Sequence, residues 1–152
     1  MVVFILRHAD RTPDPDDDLT PAGLQRAQLL ARMLAESRVS IAFRSQWVRA
    51  RRTLEPLKQK LGNALTIKEV LNDDPGGPDQ HVHDIVQAVK ALPASIVAAV
   101  VSHSDTVGRI VQDLGGDPVG LLGEHEFDKL FVLFIDPTGL VTTLRLRYGA
   151  AT

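Results

Sequence analysis

Val2-Val3-Phe4-Ile5-Leu6-Arg7-His8 sits almost at the start of the chain: five apolar residues, three of them β-branched, closed by an arginine and a histidine. A continuous apolar run bounded by charge is expected of a central strand covered on both faces. Such a strand delivers Arg7 and His8 at its carboxyl end. The pattern returns at Ile96 to Val101, again followed by a histidine, His103, and in shorter form at Val39 to Phe43.

Between these runs the period changes from strand to helix. Thr12 to Asp18, with two prolines and four aspartates, reads as an exposed loop. Thr20 is an N-cap and Pro21 a first helical residue, after which Leu24, Ala27, Leu30, Ala31 and Leu34 recur on one helical face. Trp47, Ala50, Leu54, Leu57 and Leu61 keep the same period up to Gly62. Ala64 to Leu71 is an expected third strand, Asn72 to Pro78 a loop, and His81 to Leu92 a helix bounded by Pro93. A helix from Asp105 to Leu114 follows the second histidine. Leu130 to Ile135 and Leu140 to Leu146 flank Asp136-Pro137-Thr138-Gly139, a hairpin turn sequence.

Strands alternating with helices predict an α/β fold, a three-layer α/β/α sandwich with a mostly parallel central sheet, edged by the antiparallel C-terminal hairpin. The 152 residues, 44% of them hydrophobic, match one globular domain spanning 1–152. Without cysteine there is neither a disulfide nor a thiolate nucleophile. A net charge of −2 with no basic run argues against nucleic acid as a partner. No apolar stretch nears the roughly 20 residues that span a bilayer, and the first strand is too short for a secretory signal, so a cytoplasmic protein away from membranes is expected. Nothing in the pattern encodes an oligomeric state.

In parallel sheets of this type ligands bind beyond the carboxyl ends of the strands. That rule gathers His8, the turn from Phe43 to Arg49, the loop from Asn72 to Asp79, and His103 at one rim. A phosphoryl group spreads its charge over three oxygens, so a site that transfers it needs several fixed donors and one in-line nucleophile. Arg7, His8, Arg49 and His103 supply that set: a neutral imidazole can attack phosphorus, and planar guanidinium groups can grip the oxygens. Arg49 also falls in the first turn of its helix, where free N–H groups favour an anion.

Four ordered segments resemble the histidine phosphatase superfamily, which includes cofactor-dependent phosphoglycerate mutases and short phosphohistidine phosphatases. Val3-Phe4-Ile5-Leu6-Arg7-His8-Ala9-Asp10 is similar to the family's Arg-His motif, with Ala in place of Gly. Leu19-Thr20-Pro21-Ala22-Gly23-Leu24-Gln25-Arg26-Ala27 resembles the segment that opens its first helix. Arg44-Ser45-Gln46-Trp47-Val48-Arg49-Ala50-Arg51-Arg52-Thr53 and Val100-Val101-Ser102-His103-Ser104-Asp105-Thr106-Val107 resemble its two further phosphate-site segments. Gln46 departs from the family's proline, and Arg44 and Ser102 from its small residues.

The resemblance implies a phosphoglycerate mutase-like fold and His8 as a nucleophile that becomes a covalent phosphohistidine, with Arg7, Arg49 and His103 as the phosphate pocket. It also implies a general acid on the loop after the third strand, where Glu69, Asp73, Asp74 and Asp79 stand; Asp73 or Asp74 is expected, with Asp105 a second candidate. Arg11, Arg44 and Asp105 are expected to contact substrate, and no cofactor or metal ion is required. The expected activity is hydrolysis of a phosphorylated small molecule or a phosphoprotein. A mutase, or a phospho-ligand binding module without catalysis, are the alternatives.

Other histidines read more simply. His81 and His83 beside Asp84 are expected on a surface or a lid rather than around a metal, because i,i+2 side chains on a helix diverge. Trp47 is expected in the core or the wall of the site.

Overall fold

The computed structural model describes residues 1–13, 17–73 and 76–152. In chain order the elements are β1 (Val2–Arg7), α1 (Pro21–Leu34), β2 (Ile41–Arg44), α2 (Val48–Leu61), β3 (Thr66–Glu69), α3 (Gly77–Lys90), β4 (Val97–Ser102), α4 (Val107–Asp113), β5 (Lys129–Ile135) and β6 (Val141–Arg147). The strands form one sheet in the order β3-β2-β4-β1-β5-β6. The first four of that order run parallel, whereas β5 pairs antiparallel with both β1 and β6.

Alternation along the strands divides the core in two. Val3 and Ile5 of β1, Ala98 and Val100 of β4, and Phe131 and Leu133 of β5 pack with Val82, Ile85, Val86, Ile110 and Val111 of α3 and α4. Leu6, Ala99, Val101, Leu130 and Val132 face the other way, onto Leu30, Ala31, Leu34, Leu54 and Leu57 of α1 and α2. Both faces of β1 are therefore covered, which is why its sequence is apolar throughout rather than alternating. Among the described residues no helix is long and apolar enough to cross a membrane.

Three of the boundaries that differ from the sequence expectation bear on the site. Helix α3 begins at Gly77, four residues before His81, because Pro78 fits a first helical turn. Helix α4 starts only at Val107; the backbone N–H groups of Thr106 and Val107 turn back to the His103 carbonyl first. Strand β3 is confined to the four residues that pair with β2 at the sheet edge.

The start of α1 is locked against the segment that follows β1. Thr20 Oγ1 caps the helix by accepting the Gly23 N–H at 3.1 Å, and the Thr20 N–H donates to the Asp10 carbonyl at 2.9 Å. A Cβ at Gly23 would lie 2.0 Å from that Asp10 oxygen, so only glycine permits the approach. Leu24, expected on the buried stripe, is 36% exposed. Arg26 is buried instead, donating to Asp10 at 2.6 Å and to the carbonyls of Tyr148 at 2.6 Å and Ala150 at 2.9 Å.

Candidate phosphate site

The carboxyl ends of β1, β2 and β4 open into a cleft of about 640 Å³ lined by Arg7, His8, Arg11, Trp47, Arg49, Asn72, Asp73, Gly77, Pro78, His103, Ser104 and Asp105. Strand register builds it. Arg7 is the β-partner of Ser102, and the His8 N–H donates to the Ser102 carbonyl at 2.9 Å, so the two histidines emerge side by side. Their ring centroids are 5.4 Å apart.

His8 is buried, with Nδ1 at 2.8 Å from the Ala9 carbonyl oxygen. A carbonyl only accepts, so Nδ1 carries the hydrogen and Nε2 keeps its lone pair. Burial, reinforced by the nearby His103, Arg7 and Arg49, holds the His8 pKa well below its usual value, and the ring is neutral at physiological pH. The Ala9 N–H donates to Thr53 Oγ1 at 2.9 Å, which ties this segment to α2.

His103 is neutral for the same reason: burial, then Arg49 and His81, push its pKa down to about 3. Its Nε2 lies 2.8 Å from the hydroxyl of Ser45, at the end of β2. Arg7 is clamped from behind. Its Nη1 donates to the carbonyls of Gly123, Glu124 and Glu126 at 2.7–3.1 Å, and its guanidinium carbon sits 4.0 Å over the Phe127 ring. Burial lowers the Arg7 pKa to about 10, which still leaves it charged.

Arg49, in the first turn of α2, stacks 5.0 Å over Trp47, which forms part of the cleft wall and is 40% exposed. Its Nη1 bonds Asp17, whose carboxylate also lies 3.6 Å from Arg11. The Nε atoms of Arg7 and Arg49 are buried without a hydrogen-bond partner among the described residues. The three guanidinium groups on the cleft, of Arg7, Arg11 and Arg49, make it suited to an oxyanion.

Of the residues expected in the site, Arg7, His8, Arg49 and His103 come together, with Arg11, Asp73 and Asp105 also on the cleft. Asp74 lies outside the described residues. Arg44 does not reach the cleft: as the cross-strand neighbour of Glu69 it forms an ion pair with it at 2.8 Å and donates to the Ser45 carbonyl. That contact also occupies Glu69, while Asp79 pairs with Arg109 at 2.8 Å. His81 is not on a surface or lid but fully buried behind His103. Among the described residues no three histidine, aspartate or glutamate side chains group as metal ligands.

Sequence reasoning missed Asp17, hidden in a loop whose composition signals only exposure, and the Phe127 shelf, which no local pattern links to Arg7. Ser45 could have been found, since it stands in the same segment as Arg49.

The profile of the histidine phosphatase superfamily (branch 1) matches residues 3–81, a segment holding Arg7, His8 and Arg49 and ending before His103. No curated protein matches the sequence. Among solved structures, the protein histidine phosphatase SixA complexed with tungstate is 26% identical, with 97% of each chain covered and a TM-score of 0.67. The fold is shared with the alpha-ribazole phosphatase from Shigella flexneri, at 15% identity, full coverage of both chains and a TM-score of 0.68. It is shared too with a mycobacterial glucosyl-3-phosphoglycerate phosphatase in complex with VO3, at 14% identity, 99% coverage of both chains and a TM-score of 0.68. By motif, topology and family profile, the chain belongs to the histidine phosphatase superfamily, branch 1.

Proposed function

We propose that this member of a phosphatase family hydrolyses phosphohistidine or phosphomonoesters through a covalent phosphohistidine on His8. The observation that carries the reading is the His8 imidazole: buried, neutral, with Nδ1–H committed to the Ala9 carbonyl and Nε2 free to attack. Nε2 donates its lone pair to phosphorus as the bond from phosphorus to the leaving group breaks. Arg7 and Arg49 hold the peripheral oxygens, and His103 adds a neutral donor when its unbonded ring nitrogen carries the hydrogen. Water then attacks the phosphohistidine, releasing phosphate and restoring the neutral ring.

For an ester, the departing oxygen needs a proton, and Asp73 is a carboxyl group that lines the cleft from the β3–α3 loop. Asp105 stands on the same rim as the second candidate. For phosphohistidine the departing imidazole is a better leaving group and the demand on an acid is smaller. The end-to-end likeness to a protein histidine phosphatase favours that substrate class, and the tungstate and VO3 complexes of similar proteins fit an oxyanion site.

Turnover of p-nitrophenyl phosphate and of a phosphohistidine peptide by wild type and His8→Ala tests the reading. Loss of both activities in the variant supports it. Equal turnover by the two proteins removes it, and binding of phosphate without turnover by wild type would make the protein a phospho-ligand module instead.

A further inference from the structure

The chemistry above makes no use of His81, yet this side chain is completely buried in α3 with its ring 6.1 Å from that of His103. Its Nδ1 lies 3.1 Å from the Val70 carbonyl oxygen and 3.2 Å from that of Leu71. Both partners are acceptors, so Nδ1 carries the hydrogen and Nε2 must accept. What it accepts is the hydroxyl hydrogen of Ser102, at 2.8 Å. Ser102 has then spent its one hydrogen, and its oxygen accepts from the Thr106 hydroxyl at 2.7 Å. Thr106 Oγ1 in turn accepts the backbone N–H of His103 at 3.0 Å.

With the ring neutral, the direction of every bond in this series follows from the first, so the Thr106 hydrogen goes to Ser102 rather than to the His103 carbonyl 3.3 Å away. It starts on the β3–α3 loop and ends on the backbone of His103. Val70 and Leu71 lead directly into Asn72 and Asp73, which line the cleft. From the other side, Gln46 grips that loop, donating to the Asn72 carbonyl at 3.3 Å and accepting the Asn72 N–H at 2.9 Å. Ser102, which departs from the small residue of the family pattern, is the hydroxyl that gives His81 a partner. Burial keeps the His81 ring neutral, as an acceptor at Nε2 requires.

We propose that His81 is a positioning residue that, through Ser102 and Thr106, sets where the loop presenting Asp73 stands relative to His103 and the bound phosphoryl group. Arg7 and Arg49, the two cations that grip the phosphoryl oxygens, lie on other elements, so losing His81 leaves most of phosphate capture in place. The loss falls on the step in which the leaving group takes a proton. A displacement of about 1 Å at a reacting group can cost about a hundredfold in rate.

The inference rests on the phosphatase reading, and its test separates the two. In His81→Phe, kcat/KM for phenyl phosphate, a poor leaving group, is expected to fall about tenfold or more, while kcat/KM for p-nitrophenyl phosphate falls less than about threefold. Vanadate inhibition should stay within about twofold of wild type, because it reads capture alone. His81→Gln, which keeps a donor and an acceptor, should restore most of the loss. Ser102→Ala should reproduce the Phe variant's substrate bias, and serves alone if the Phe variant does not fold; the double variant should be no worse than either.

A uniform loss on both substrates, a parallel loss of vanadate affinity, additive losses or no recovery with Gln would each overturn the proposal. Nitrogen NMR of the His81 ring in wild type needs no turnover. Protonated Nδ1 with bare Nε2 supports the proposal, and a proton on Nε2 refutes it even in an active enzyme. An inactive wild type with the expected His81 signals would instead refute the phosphatase reading.

Discussion

The carboxylate of Asp17 is bonded to the guanidinium of Arg49, one of the residues lining the cleft, so a cation suited to a phosphoryl oxygen already holds an anion of the protein's own. Asp17 reaches it from a left-handed backbone conformation, φ 58°, uncommon for a residue with a side chain. On the proposed reading, substrate competes with this carboxylate for Arg49 and Arg11. Asp17→Asn is expected to strengthen vanadate inhibition by about three- to tenfold, the scale of one partly exposed ion pair. Weaker inhibition would mean that Asp17 holds Arg49 in place rather than competing for it.

Arg49 itself should govern capture more than chemistry. Arg49→Ala is expected to raise KM for p-nitrophenyl phosphate about tenfold or more, with a smaller fall in kcat, in steady-state assays. Arg49→Lys should recover little, because an ammonium lacks the planar fork.

Three buried histidines make stability depend on pH. The pKa values of His8, His81 and His103 are all lowered in the folded protein, that of His103 to about 3, against about 6.5 for the free side chain. The unfolded chain therefore binds more protons than the folded one between those values. Stability is fully present above pH 6.5 and is lost as pH falls through that window. Urea midpoints should drop from pH 7.5 to pH 5, and less steeply in His103→Gln; an equal drop in both proteins would assign the acid sensitivity elsewhere.

Gly23→Ala forces a methyl group onto the Asp10 carbonyl. We expect a loss of about 1–3 kcal/mol in denaturant unfolding, accompanied by lower activity because the same loop continues from His8. An unchanged midpoint would show that α1 can shift without cost.

The sequence made the sheet legible because β1 and β4 are apolar on both faces, and the hairpin because Asp136 to Gly139 has turn chemistry in which the Asp136 carboxylate accepts the Thr138 and Leu140 N–H groups. His8 and His103 could be placed at one rim from the parallel-sheet rule alone. The ion pair of Arg44 is not legible in the sequence because its neighbour Glu69 lies 25 residues away and meets it only through strand pairing. His81 was misjudged because helix periodicity describes a face, not what a second strand end brings against it. The burial of Arg26 is not legible locally either, since it depends on the carbonyls of Tyr148 and Ala150, more than 120 residues along the chain.

The role of His8 is tested most directly by rapid-quench mixing of the protein with p-nitrophenyl phosphate, followed by mass mapping under alkaline conditions that preserve a P–N bond. We expect a phosphoryl group on His8 that forms within the first turnover, decays as phosphate is released, and is absent from His8→Ala. A phosphoryl group on His103, or wild-type turnover by His8→Ala, would contradict it.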